Sequence, residues 1–74
     1  MRYMTDEQIR QSVIWIAKVR NKDNPFVRKK VSAIEREIEF FREFAANATN
    51  RTIRLSAQAN ADMYDEWLNR ALES

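Results

Sequence analysis

Carboxylates come closer than any other residues in this sequence to a chemical arrangement. Glu35, Glu39 and Glu43 recur at four-residue steps with Glu37 between them, and Asp62, Asp65 and Glu66 form a second group. Carboxylates facing inward from bundle helices can hold a di-metal centre, but such sites also need histidines in Glu-x-x-His motifs. The sequence contains neither histidine nor cysteine. That removes zinc and iron–sulfur ligation, disulfides, and any Cys- or His-based nucleophile or base. Arg36 and Arg42 each stand three residues from Glu39, so ordinary pairing on a solvated helix face accounts for the acids. Glycine is absent too, so no glycine-rich phosphate loop exists. We expect no enzyme, no cofactor and no metal site, and the residues of interest become those that can bind another molecule.

Two sets qualify. The first is basic. The 13 Lys/Arg and 11 Asp/Glu leave a net charge of only +2, but they are unevenly spread. Residues 1–32 hold eight cations and three acids, net +5, while residues 33–74 hold five cations and eight acids, net −3. The basic part gathers around one turn as Lys18, Arg20 and Lys22, then Arg28, Lys29 and Lys30. The second trio falls in the first turns of a helix, where the helix dipole disfavours cations by a few tenths of a kcal/mol each. A local rule broken without local gain can mark an anion-binding surface, for phosphate or for an acidic protein. The bland alternative is a solvated corner that keeps the protein soluble.

The second set is aromatic. Tyr3, Trp15, Phe26, Phe40, Phe41, Phe44, Tyr64 and Trp67 are more than one small core can cover. Phe41, Phe44, Tyr64 and Leu68 belong in the core on spacing. Trp15, Phe40 and Trp67 flank it and are candidates for an intermolecular contact, as Trp and Tyr favour interface hot spots.

The elements that must position these residues are helices. Strand-rich small domains need glycine at positive-φ turns, and here only asparagine is available. Thr5 and Gln8 form a capping box, with Asp6 and Glu7 in the first turn. Ile9, Val13, Ile16 and Ala17 follow at helical spacing, giving a first helix over about 5–21, widened by Ile14, Trp15 and Val19. Asn24 caps and Pro25 opens a second helix over about 25–46. Its stripe is Val27, Val31, Ile34, Ile38, Phe41 and Ala45, with spacings 4, 3, 4, 3, 4. Glu37 then falls on the solvent side. Asn47, Thr49, Asn50 and Thr52 argue for a break rather than one continuous helix. Thr49, Asn50 or Thr52 caps a third helix over about 51–72, with Ile53, Ala57, Ala61, Tyr64, Leu68 and Ala71 on one face. Alanines 57, 59 and 61 should face the phenylalanines of the second helix.

The expected fold is all-α: one domain over residues 1–74, a short N-terminal helix plus a long antiparallel helical hairpin that dimerises into a bundle. Val27, Val31, Ile34, Ile38, Phe41, Tyr64 and Leu68 form its core or dimer seam. A chain of 74 residues buries only about 60% of its unfolded surface, and without disulfides or metal, oligomerisation is the usual support. No apolar run is long enough to span a bilayer, and Arg2 followed by polar Thr5–Gln8 does not read as a signal peptide. We therefore read the sequons at Asn47 and Asn50 as coincidence and expect no membrane and a cytoplasmic location (host cytoplasm if phage-encoded). The function expected is a homodimeric regulator or inhibitor that occupies a surface of a larger protein, in the style of bacterial or phage accessory proteins. That last comparison is one of style, with no family motif behind it. The alternative is a nucleic-acid-binding bundle that uses the basic corner, although no helix-turn-helix glycine turn is present.

Overall fold

The computed structural model describes residues 4–73, so Arg2 and Tyr3 lie outside the described residues. These residues form three α-helices and no strand: α1 (Asp6–Val19), α2 (Pro25–Asn47) and α3 (Arg51–Glu73). Each begins where the sequence supplies a cap. Thr5 Oγ1 accepts from Gln8 N at 3.2 Å while Gln8 Oε1 accepts from Thr5 N at 2.9 Å, closing the capping box. Asn24 Oδ1 accepts from Phe26 N at 2.8 Å and Val27 N at 3.4 Å, ahead of Pro25. Of the three candidate caps for α3, Asn50 serves: its side chain accepts from Ile53 N at 3.2 Å.

The first helix ends two residues earlier than its expected limit at Asn21. Arg20 turns left-handed, at φ 56° and ψ 23°, and its N–H donates to Ile16 O at 3.2 Å. This is the cap glycine usually supplies; with none in the chain, arginine carries the steric cost.

The core is one cluster shared by all three helices. Ile9, Val13 and Ile16 come from α1, Val27, Ile34, Ile38, Phe41 and Ala45 from α2, and Ala57, Ala61, Tyr64, Leu68 and Ala71 from α3. Each large aliphatic side chain so buried contributes about 1.5–3 kcal/mol relative to exposure. The Tyr64 ring lies 5.7 Å from Phe41 and 5.6 Å from Trp67. Ala57 and Ala61 are buried, whereas Ala59 is exposed and does not face the phenylalanines, because it stands about 200° around the helix from Ala57.

At one end of the molecule Val27, early in α2, lies beside Ala71 and Leu72, late in α3. At the other end Phe44 and Asn47 of α2 line a groove with Ile53 of α3. The whole measures 40 × 19 × 18 Å. With 23 residues each, α2 and α3 are about 34 Å long, whereas the 14 residues of α1 reach only about 21 Å. Tyr64 hydroxyl donates to Asp6 at the start of α1, and Arg10 sits 5.6 Å over the Trp67 ring. The first helix thus accompanies α3 from Tyr64 onward and leaves the earlier part without a third helix.

Besides Ala59, three side chains depart from the sequence expectation. Glu37, placed on the solvent side by the heptad phase, is 0% exposed. The face of α2 that is covered is thus wider than the a/d stripe. No buried polar side-chain atom among the described residues lacks a partner, so the Glu37 carboxylate is satisfied. Phe44 and Ile53, expected on the core faces, are instead about half exposed, at 49% and 48%. Both lie beyond the reach of α1.

Candidate binding surfaces

Two surfaces stand out, one at each end of the molecule. The first is the open groove where α2 ends and α3 begins, about 740 Å³ in volume. Its apolar floor is Phe40, Phe44 and Ile53, and its rim carries Arg36, Glu39 and Glu43. Phe40 is half-buried, stacked edge-on against Phe41 at 5.2 Å and tilted against Phe44 at 6.2 Å. The ladder of acids at 35, 39 and 43 is therefore partly a groove wall. Its expected arginine pairing differs in detail: Arg42 reaches across to Asp65 of α3 at 3.5 Å.

The second surface surrounds the C-terminal half of α1. Ile14, Trp15 and Lys18 line a groove with Phe26 and Lys30 of α2. Phe26 is 69% exposed and Ile14 47%. On the other flank of α1, Ile14 and Ala17 line a second groove with Trp67, Arg10 and Arg70.

The residues singled out from the sequence distribute between these surfaces unevenly. Trp15, Phe40 and Trp67 are all half-buried and packed against the core, so they are walls of grooves rather than free aromatic patches. The protruding apolar residues are Ile14, Phe26, Phe44 and Ile53, and Leu55 on the far side of α3. A signal for Phe26 and Phe44 was present: they are eighteen residues apart, five turns at 3.6 residues per turn, and so share one flank of α2. An isolated exposed leucine such as Leu55 is ordinary.

The basic corner is brought together in part. Lys18 and Lys30 border the Ile14–Phe26 groove, and Lys30 Nζ lies 5.3 Å from the Trp15 ring centroid, a cation–π contact. Arg20 and Lys22 border a small cleft with Ile16, Val27 and Leu72. Arg28 pairs with Asp23 at 3.4 Å, and Lys29 is exposed. Of the expected seam, Val27, Ile34, Ile38, Phe41, Tyr64 and Leu68 are buried within the chain, and Val31 is half-buried.

Among the described residues no group of three or more acids is placed to hold a metal ion. No described helix is long and apolar enough to cross a membrane. No known family model, curated protein or solved structure matches this chain.

Proposed function

We propose that this chain is a protein-binding module that acts as a homodimer, regulating or inhibiting a larger protein by occupying part of its surface. The observation that carries the reading is the uncovered end of the α2–α3 pair. There Phe44 and Ile53 stay half exposed, and the groove that they line includes no residue of α1. Apolar side chains in such a position lose favourable burial unless another chain supplies it.

A second copy of this chain suits the groove. A two-fold interface must be self-complementary, and this end carries both signs. Glu39 and Glu43 edge the groove from α2, while Arg51 and Arg54 stand exposed on the first turn of α3, a stretch without an acid until Asp62. A two-fold partner sets the acidic edge of one copy against the basic edge of the other, with the aromatic residues between. In this reading α2 and α3 form an antiparallel hairpin, two hairpins join into a helical bundle, and the faces around α1 are left free for the larger partner.

Light scattering over a dilution series tests the dimer. The wild type is expected to run as a dimer, and Phe44→Arg, at an exposed position that leaves the fold intact, as a monomer. A wild type that is monomeric at every concentration refutes the homodimer, and so does a Phe44→Arg chain that remains dimeric.

A further inference from the structure

We infer that the surface centred on Ile14 and Phe26 is the docking site for an acidic amphipathic helix of the partner protein. This rests on the protein-binding reading above and adds where the partner sits and what chemistry it presents.

Charge is the first argument. Three concave patches meet at Ile14: one shared with α2, one shared with α3, and one along α1 itself. Their charged lining residues are Arg10, Lys18, Arg20, Lys30 and Arg70, all cations. Arg10 and Arg70 are paired with Glu7 at 3.7 Å and Glu66 at 2.6 Å, so Lys18, Arg20 and Lys30 carry the charge argument. The sequence explains this. Between Gln8 and Ile34 there are seven Lys/Arg and a single acid, Asp23, and Asp23 is already held by Arg28. An excess of cations beside an apolar centre, here Lys18, Arg20 and Lys30, selects a partner of opposite sign and steers its approach.

Shape and polarity are the second argument. The centre is apolar and exposed, with Phe26 and Ile14 protruding on either side of the half-buried Trp15. Grooves between packed helices accept the apolar stripe of another helix, read at i, i+3, i+4 and i+7. Acids flanking that stripe would meet Lys18 and Lys30 on one side and Arg10 and Arg20 on the other. A nucleic acid would satisfy the cations, but it has no aliphatic stripe to cover Ile14. A two-fold copy of the chain is disfavoured here, because this face would meet its own like charges. At the far groove both signs are present.

Binding of a fluorescently labelled helical peptide, about 20 residues long, to the full chain tests the assignment. The peptide carries leucines at the spacing above with glutamates on both flanks. The comparisons are a scrambled peptide of the same composition, a peptide with lysine in place of glutamate, and single- and double-stranded oligonucleotides. The acidic amphipathic peptide is expected to bind at least about tenfold more tightly than either control peptide, a difference of about 1.4 kcal/mol. Ile14→Ser and Phe26→Ser are each expected to weaken it about tenfold or more, as is the pair Lys18→Glu with Lys30→Glu. These positions are surface ones, and far-ultraviolet circular dichroism confirms that the variants remain helical. Phe44→Arg, at the opposite end, should leave the affinity unchanged. The inference is overturned if no peptide binds, if the scrambled peptide binds equally well, or if the serine variants bind normally. Tight binding of an oligonucleotide with no peptide binding assigns the face to nucleic acid instead. Loss of the wild-type dimer on Lys18→Glu with Lys30→Glu would assign it to a head-to-tail contact between copies, also against the inference. A failure here leaves the Phe44 scattering result standing, and a monomer that still binds the peptide sinks only the dimer.

Discussion

The hydroxyl of Tyr64 donates to the carboxylate of Asp6, tying the first turn of α1 to the middle of α3. Tyr64 is otherwise wholly buried, its ring between Phe41 and Trp67. One residue thus anchors the core with its ring and sets the position of α1 with its polar tip. Because α1 starts at this point, it also decides which part of the α2–α3 pair stays uncovered.

Tyr64→Phe keeps the ring contacts and removes only the hydroxyl. It is expected to lower unfolding free energy by about 1.5–2 kcal/mol, the low end of the range for one hydrogen bond to a charged group. Asp6 is exposed, which keeps the loss at that level. Urea denaturation measures it, and an unchanged midpoint would show that apolar packing alone holds α1.

Glu37 and its neighbours separate the heptad phase from the real burial pattern. Glu37→Ala is expected to cost about 2–3 kcal/mol, since it removes buried methylenes and strands the groups that satisfy the carboxylate. Ile38→Asp, which places an unpaired charge in the core, is expected to cost about 3–5 kcal/mol. Glu35→Ala, on the exposed face, should stay within about 0.5 kcal/mol. Equal tolerance of Glu35→Ala and Glu37→Ala in thermal melts would contradict the burial of Glu37.

The two ends of the first turn respond in opposite directions. Arg20→Gly relieves the left-handed backbone and is expected to raise stability by about 0.5–1 kcal/mol. Asn24→Ala removes the acceptor for Phe26 and Val27 and is expected to lower it by about 1 kcal/mol. Differential scanning calorimetry of the two variants under identical conditions reads both signs.

If the groove at Phe44 and Ile53 is closed by a second copy, thermal stability must depend on protein concentration, because association stabilises the folded state by mass action. Tm is expected to rise on concentrating the wild type and to stay level for Phe44→Arg. A concentration-independent Tm in both proteins would leave the groove without its proposed occupant.

Much of the fold was legible in the residues themselves, because helix signals are local. Thr5 with Gln8, Asn24 with Pro25, and the polar run at Asn47–Thr52 mark helix ends through side chains that bond their own backbone. The stripe from Val27 to Ala45 follows from the 3.6-residue turn alone. The excess of cations between Gln8 and Ile34, seven against the single acid Asp23, is likewise a property of sequence, and so is the shared flank of Phe26 and Phe44.

What only the tertiary structure decided is which of those flanks is covered. Periodicity gives an angle around a helix, but burial depends on what lies beside it and for how far. The 14 residues of α1 accompany one part of the α2–α3 pair and stop short of the other. Glu37 is buried despite its charge, while Phe44 and Ile53 are exposed despite their apolarity. Trp15, Phe40 and Trp67 become groove walls for the same reason. The two candidate surfaces arise from this mismatch in helix length and from where α1 lies along α3, which the contact between Tyr64 and Asp6, 58 residues apart in the chain, marks.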